Sequence, residues 1–119
     1  MTDSAALKIL IADDEPLAAE RLQMLLARID GVHLVGTAHD GESAVRMAEA
    51  VQPDLVLLDI AMPGLDGIEV ARALCRDGRS PAVVFVTAFD QFAVAAFDVA
   101  AIDYLMKPVD AERLSRSVE

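Results

Sequence analysis

Four places in this chain of 119 residues put a chemically useful side chain directly after a run of mostly apolar residues. Asp13 and Asp14 follow residues 7–12 (Leu-Lys-Ile-Leu-Ile-Ala), and Asp59 follows Leu55-Val56-Leu57-Leu58. Thr87 closes residues 82–87 (Ala-Val-Val-Phe-Val-Thr), and Lys107 follows residues 103–106 (Asp-Tyr-Leu-Met). Four consecutive apolar residues read as a strand buried on both faces, because a half-exposed strand alternates with polar side chains. A carboxylate on such a strand end, with Met62-Pro63-Gly64 turning the chain behind it, is placed to act as a nucleophile or metal ligand.

Three carboxylates packed together repel one another and raise their pKa values unless a cation joins them, and an all-oxygen cluster with room for water suits Mg²⁺ or Mn²⁺. No Cys or His accompanies them, which argues against zinc. Neither a G-x-G-x-x-G nor a P-loop pattern follows the first strand, so an unaided phosphate is disfavoured at that turn. A bridging metal reverses the sign. With Mg²⁺ on Asp13 or Asp14, Asp59 and a backbone carbonyl, a phosphoryl group can approach Asp59 while the Lys107 ammonium and Thr87 hydroxyl take its other oxygens. The product is an aspartyl phosphate. Each residue also has an ordinary reading: Asp59 as a solvated turn residue, Asp13 and Asp14 as turn or capping residues, Thr87 as a strand former, Lys107 as a solvated charge. Their joint placement at four strand ends favours the site.

Those strand ends need a scaffold, and the rest of the chain supplies a regular alternation. Pro16 suits a first helical turn, and Leu22, Leu25, Leu26 and Ile29 follow at helical spacing, with a stop near Asp30-Gly31. Residues 32–38 form a second, less continuous strand. Asp40 is placed to cap a helix with Ala44, Met47, Ala48 and Val51 inward, closed by Gln52-Pro53. Asp66 and Glu69 have the spacing of a capping box before a helix facing inward through Ile68, Ala71 and Cys75. Residues 91–100 read as a small apolar fourth helix, and Asp110 caps a last helix with Ala111, Leu114 and Val118 inward, cut off at Glu119. Five strand–helix repeats with short connections predict an α/β fold: a five-stranded parallel sheet flanked by helices through right-handed crossovers. In such a doubly wound sheet the carboxyl ends of the strands share one edge, where ligands bind. His33 and His39 sit at no such end and read as surface or packing residues, and Met24, Met47 and Met106 read as core filler.

Composition narrows the class further. At this length, with 55% hydrophobic residues, the expectation is one domain over residues 1–119. A net charge of −10 argues against a grip on nucleic acid or an anionic membrane. One cysteine and no signal-type leader point to the reducing cytoplasm, and residues 92–106, broken by Asp98 and Asp103, lack the uninterrupted apolar length of a membrane span.

The motifs Ile11-Ala12-Asp13-Asp14-Glu15-Pro16, Leu57-Leu58-Asp59-Ile60-Ala61-Met62-Pro63-Gly64-Leu65-Asp66-Gly67, Val86-Thr87-Ala88 and Tyr104-Leu105-Met106-Lys107-Pro108 resemble the receiver domain of two-component response regulators. The resemblance spans nearly the whole chain. It implies the flavodoxin-like strand order 2-1-3-4-5, a pattern that the general rule for doubly wound sheets illustrates with a member of this very family. It further implies that Asp59 is the phosphoacceptor, that Asp13 and Asp14 are the acid pair for Mg²⁺, and that Ala61 lends its backbone carbonyl to the metal. Thr87 resembles the switch hydroxyl, Tyr104 the switch aromatic and Lys107 the family lysine, with a cis bond to Pro108. Thr87-Ala88-Phe89-Asp90-Gln91-Phe92-Ala93 and the stretch 96–105 look like receivers that precede a LytTR-type DNA-binding domain. The implied whole is a phosphorylation switch fed by a sensor histidine kinase. Its output is transcription regulation through a DNA reader absent from these residues, and it forms a homodimer through the fourth helix, fifth strand and last helix. Two other readings stand beside it. One is a receiver-like interaction module that is never phosphorylated. The other is an aspartyl-nucleophile phosphohydrolase, whose D-x-D pattern would need a second acid where this chain has Ala61.

Overall fold

The apolar runs become the central strands of a parallel sheet because only there are both faces covered. In the computed structural model, which describes residues 6–62, 64–74, 81–88, 103–107 and 109–118, β1 (Leu7–Ala12), β3 (Leu55–Leu58) and β4 (Ala82–Thr87) lie in the middle of five strands. The edges are β2 (Val32–Ala38) and β5 (Asp103–Met106), giving the order β2-β1-β3-β4-β5. All four β3 residues are buried, whereas β2 is only half-buried along most of its length, which accounts for its broken apolar pattern. Register pairs Ala12 with Leu58, Leu58 with Phe85, and Thr87 with Met106, so the residues that follow these strands emerge at one edge.

Successive side chains of a strand point to opposite faces, and the core divides accordingly. Leu10, Val56, Leu58, Val83 and Phe85 meet α2 (Gly41–Val51) and α3 (Gly67–Leu74) through Ala44, Ala48, Ile68 and Ala71. Ile9, Ile11, Leu57, Val84 and Val86 meet α1 (Pro16–Leu26) and α4 (Ala111–Val118) through Ala19, Leu22, Leu26 and Leu114. Each fully buried aliphatic side chain contributes about 1.5–3 kcal/mol. This two-sided core fixes the strand ends that carry the acids.

The expected helix starts are present. Asp40 accepts from the Ser43 N–H at 2.7 Å, Asp110 from the Arg113 N–H at 2.8 Å, and Asp66 with Glu69 forms the reciprocal capping box at 2.9 and 3.0 Å. Some expectations need correction. Helix α1 ends at Leu26; Ile29 packs on the core from the tight turn that follows, where Ile29 N–H reaches Leu26 O at 3.0 Å. Met24 and Met106 are exposed, not core filler, and of the three methionines singled out only Met47 packs against the core. Ala111 is exposed as well, because the amphipathic face of α4 turns Leu114 and Val118 inward and leaves the first turn in solvent. Cys75, the fourth predicted helix at 91–100 and Pro108, where a cis bond is expected, lie outside the described residues.

Gln52 ends α2 in the left-handed region at φ 46°, its N–H bonding Ala48 O at 2.9 Å. Glycine tolerates that conformation without a Cβ penalty. Since the Gln52 side chain is exposed, Gln52→Gly should stabilise the chain by about 0.5–1 kcal/mol, seen as a raised midpoint in urea unfolding.

The edge strand β5 is tied to α4 by charge. Arg113 reaches both carboxylate oxygens of Asp103 at 2.8 Å, and the Ser117 hydroxyl donates to the same carboxylate. The Arg113 guanidinium, with help from Ser117 and the Tyr104 N–H against some burial, holds the Asp103 carboxyl down to about 2. A depressed folded-state pKa gives stability that is complete above the ordinary carboxylate value and is lost as pH falls toward 2. Screened by solvent, that contribution is about 1–2 kcal/mol. Asp103→Asn should therefore lower stability at pH 7, with the difference shrinking as pH falls toward and through 2, measured by denaturant midpoints across that range.

Candidate functional site

The two strands that carry the key acids are neighbours, and backbone bonds set their ends side by side. Asp59 N–H donates to Ala12 O at 2.8 Å, and Asp13 N–H donates to Ala38 O at 3.0 Å. Asp13 and Asp59 consequently emerge buried at 1% and 4% exposure, with Asp14 exposed beside them. One carboxylate oxygen from each of the three lies within 4.8 Å of the others. Burial, seconded by the nearby Asp59 charge, pushes the Asp13 carboxyl above its usual range, although the Glu15 N–H and Lys107 pull the other way.

Among the described residues, one cation answers this charge. Lys107 Nζ lies 2.7 Å from Glu15 Oε1, 2.9 Å from Asp13 Oδ2 and 3.2 Å from Asp59 Oδ2. Burial works against the ammonium, but the pairs with Glu15, Asp13 and Asp59 outweigh it and raise its pKa above the ordinary lysine range. The side chain is a permanent cation at working pH. Its place is set by β4, since Lys107 N–H donates to Thr87 O at 2.9 Å. Helix α1 fixes the next turn: Arg21 Nε and Nη2 both donate to Val109 O, at 3.1 and 2.8 Å.

Asp13 Oδ1 accepts the Glu15 N–H at 2.9 Å, while Asp13 Oδ2 is buried with no well-aligned hydrogen bond and meets Lys107 only as a charge. An oxygen with a free lone pair, two further carboxylates and one solvent-facing member form a donor set that fits a hard cation such as Mg²⁺. Asp59 Oδ1 is held loosely by the Ala61 N–H at 3.4 Å. The loop behind it closes tightly, with Gly67 N–H donating to Ile60 O at 2.8 Å. A Cβ on Gly67 would collide with the Asp59 carbonyl oxygen and come within 2.7 Å of Ile60 Cα, so only glycine lets α3 begin directly behind the acid.

Of the residues singled out from sequence, the structure brings Asp13, Asp14, Asp59 and Lys107 into one cluster. Thr87 is fully buried at the end of β4 beside Lys107. Tyr104 packs on Phe85 with ring centroids 6.3 Å apart at 55°. Because Phe85 and Thr87 are two apart on one strand, Thr87 and Tyr104 share a face of the sheet. Ala61 is exposed in the loop after Asp59. Sequence reasoning passed over Glu15 and Arg21. Glu15 was legible only as part of an acidic run, because its partner Lys107 lies 92 residues away. His39, read as a surface or packing residue, is exposed, but its Nδ1 is also 3.3 Å from the Asp13 carbonyl oxygen.

Comparison with known proteins agrees with this geometry. A family model described as the response regulator receiver domain matches residues 9–119. The positive alginate biosynthesis regulatory protein of Pseudomonas aeruginosa is 48% identical over 114 residues, which cover 95% of this chain and 46% of that protein. The sensory transduction protein LytT of Bacillus cereus is 42% identical over 113 residues, again 95% of this chain and 46% of the relative. The chain thus spans about half the length of these curated relatives. Among solved structures, the response regulatory domain of protein mrkE from Klebsiella pneumoniae superposes with a TM-score of 0.88 at 32% identity, over 94% of this chain and 92% of that one. Among the described residues, no helix is long and apolar enough to cross a membrane.

Proposed function

The chain belongs to the response regulator receiver domain family, on its LytTR-type branch, and we propose that Asp59 is its phosphoacceptor, charged by a sensor histidine kinase in the cytoplasm. The observation that carries this reading is the buried Asp59 carboxylate with Asp13 and Asp14 beside it and the Lys107 ammonium 3.2 Å away. Asp13, Asp14, Asp59 and the Ala61 carbonyl would hold Mg²⁺, with Mn²⁺ as a substitute. The ion supplies neutralisation of charge on the transferring phosphoryl group.

The chain's own residues do the rest. An Asp59 carboxylate oxygen attacks phosphorus; the new O–P bond forms as the P–N bond to the kinase histidine breaks, and that nitrogen keeps the electron pair, the ring leaving as neutral imidazole when its other nitrogen carries a proton. Lys107 leaves Glu15 or Asp13 to meet an equatorial phosphoryl oxygen, and the Thr87 hydroxyl donates to another. The chain has Ala61 where a phosphohydrolase of this type would carry its second acid, so a leaving group finds no proton donor there. Movement of Thr87 toward the phosphate would let Tyr104 turn inward on the shared face and alter the surface of β5 and α4. A homodimer on that surface, and transcriptional output through a DNA-binding partner domain, complete the reading, supported by the regulatory relatives. Incubating the protein with Mg²⁺ and acetyl phosphate tests it: a mass gain of one phosphate, abolished by EDTA, is expected. No gain in folded, Mg²⁺-bound protein would favour an unphosphorylated interaction module.

A further inference from the structure

One corner of the fold touches both arms of the acid cluster without supplying a ligand to it. The corner runs from the end of β2 into the start of α2, residues 38–41. Ala38 O accepts the Asp13 N–H at 3.0 Å, and His39 Nδ1 approaches the Asp13 carbonyl oxygen at 3.3 Å, so the two polar groups of the Asp13 backbone are both met from the β2–α2 corner. Two residues later, α2 begins at Gly41, whose buried backbone lies against Leu65 in the loop that follows Asp59. A Cβ there would collide with the Leu65 carbonyl oxygen and stand 2.6 Å from Leu65 Cβ. The carbonyl belongs to the backbone and cannot swing aside. The Asp40 side chain pins the helix start by accepting the Ser43 N–H at 2.7 Å, so α2 has little freedom to retreat.

We infer that the β2–α2 corner is a positioning element for the metal site, with Gly41 setting the depth of the Asp59–Leu65 loop and His39 steadying Asp13 from behind. This rests on the reading of Asp13, Asp14 and Asp59 as a divalent-cation site and adds two residues to it, neither of them a ligand. Metal affinity depends on groups that orient the ligands nearly as much as on the ligands, because ligand oxygens displaced by even a fraction of an ångström no longer converge. Gly41→Ala must push the loop, and with it Asp59 and Ala61, away from Asp13. His39→Ala removes a contact of an exposed side chain and leaves the core untouched.

Isothermal titration of the metal-free protein with Mg²⁺ alone tests this, with urea midpoints in EDTA as a second readout. Wild type is expected to bind. Gly41→Ala should weaken Mg²⁺ about tenfold and His39→Ala about threefold, and His39→Asn, whose amide N–H can still donate to the Asp13 carbonyl, should recover most of the loss. The His39→Ala midpoint in EDTA should equal that of wild type, so a fall in affinity cannot be assigned to general unfolding. If wild type binds and His39→Ala binds equally well, the positioning role of His39 is overturned; if a folded Gly41→Ala also binds as wild type does, the whole corner is excluded. Absence of Mg²⁺ binding in wild type itself would overturn the metal site first.

Discussion

Asp59→Asn should gain no phosphate from acetyl phosphate and Mg²⁺ under conditions that fully label the wild-type protein. The substitution keeps the shape of the side chain and replaces its nucleophilic oxygen pair with an amide that cannot form an acyl phosphate, so the loss should be complete by intact-mass measurement. Fold should survive, because Asp59 is anchored through its backbone, with the N–H on Ala12 O, and among the described residues its side chain meets the Ala61 N–H at 3.4 Å and the Lys107 ammonium at 3.2 Å, which keeps Glu15 and Asp13 as partners. Loss of one of three anionic ligands should also weaken Mg²⁺ by at least about tenfold. Labelling that persists in Asp59→Asn would move the acceptor to Asp13 or Asp14 and dismantle the assignment.

The second large effect is expected at Lys107. Lys107→Met keeps an apolar stem of similar length but removes the cation facing Asp13, Glu15 and Asp59, two of which are buried. Removing one partner of a buried pair costs more than the pair contributes, because the remaining charge is left uncompensated, here about 3 kcal/mol. In EDTA the variant should therefore unfold at lower denaturant, and Asp13, already pushed up by burial, should move further up. Mg²⁺ should restore more stability to Lys107→Met than to wild type, since it replaces the missing positive charge and binds only the folded state. Phosphorylation by acetyl phosphate should still slow by about 10²-fold even at saturating Mg²⁺, because on the proposed reading the ammonium would stabilise charge on the phosphoryl group transferred to Asp59. Equal stability of variant and wild type in EDTA would show the Lys107 cluster to be energetically idle.

Both expectations depend on a separation of tasks that the molecule makes visible. Lys107 stands between Glu15 on the solvent side and the buried acids, so it can change partners without leaving the site. Glu15 occupies the N-cap position of α1 but gives that helix no side-chain cap, its carboxylate being engaged by Lys107. Arg21 meanwhile fixes the Val109 carbonyl two residues beyond Lys107, coupling the first turns of α1 to the strand that delivers the lysine.

What could be read from the sequence was whatever depends on local pattern. Continuous apolar runs at 55–58 and 82–87 announced central strands because no other environment covers both faces, and Asp40, Asp66 and Asp110 announced helix starts because the bonds they make span only three residues. The site acids and Lys107 were legible for a related reason: each follows a strand, and parallel strands place their ends at one edge. Tertiary structure alone decided the rest. The Glu15–Lys107 pair, the Arg21 clamp and the approach of His39 to Asp13 join residues 92, 88 and 26 positions apart, and no periodicity encodes such partners. The exposure of Met24, Met106 and Ala111 was likewise invisible, because an apolar side chain carries no mark of whether a neighbour will cover it. The requirement for glycine at 41 and 67 arises only when another segment's backbone arrives within contact distance, and that is a fact of the assembled chain.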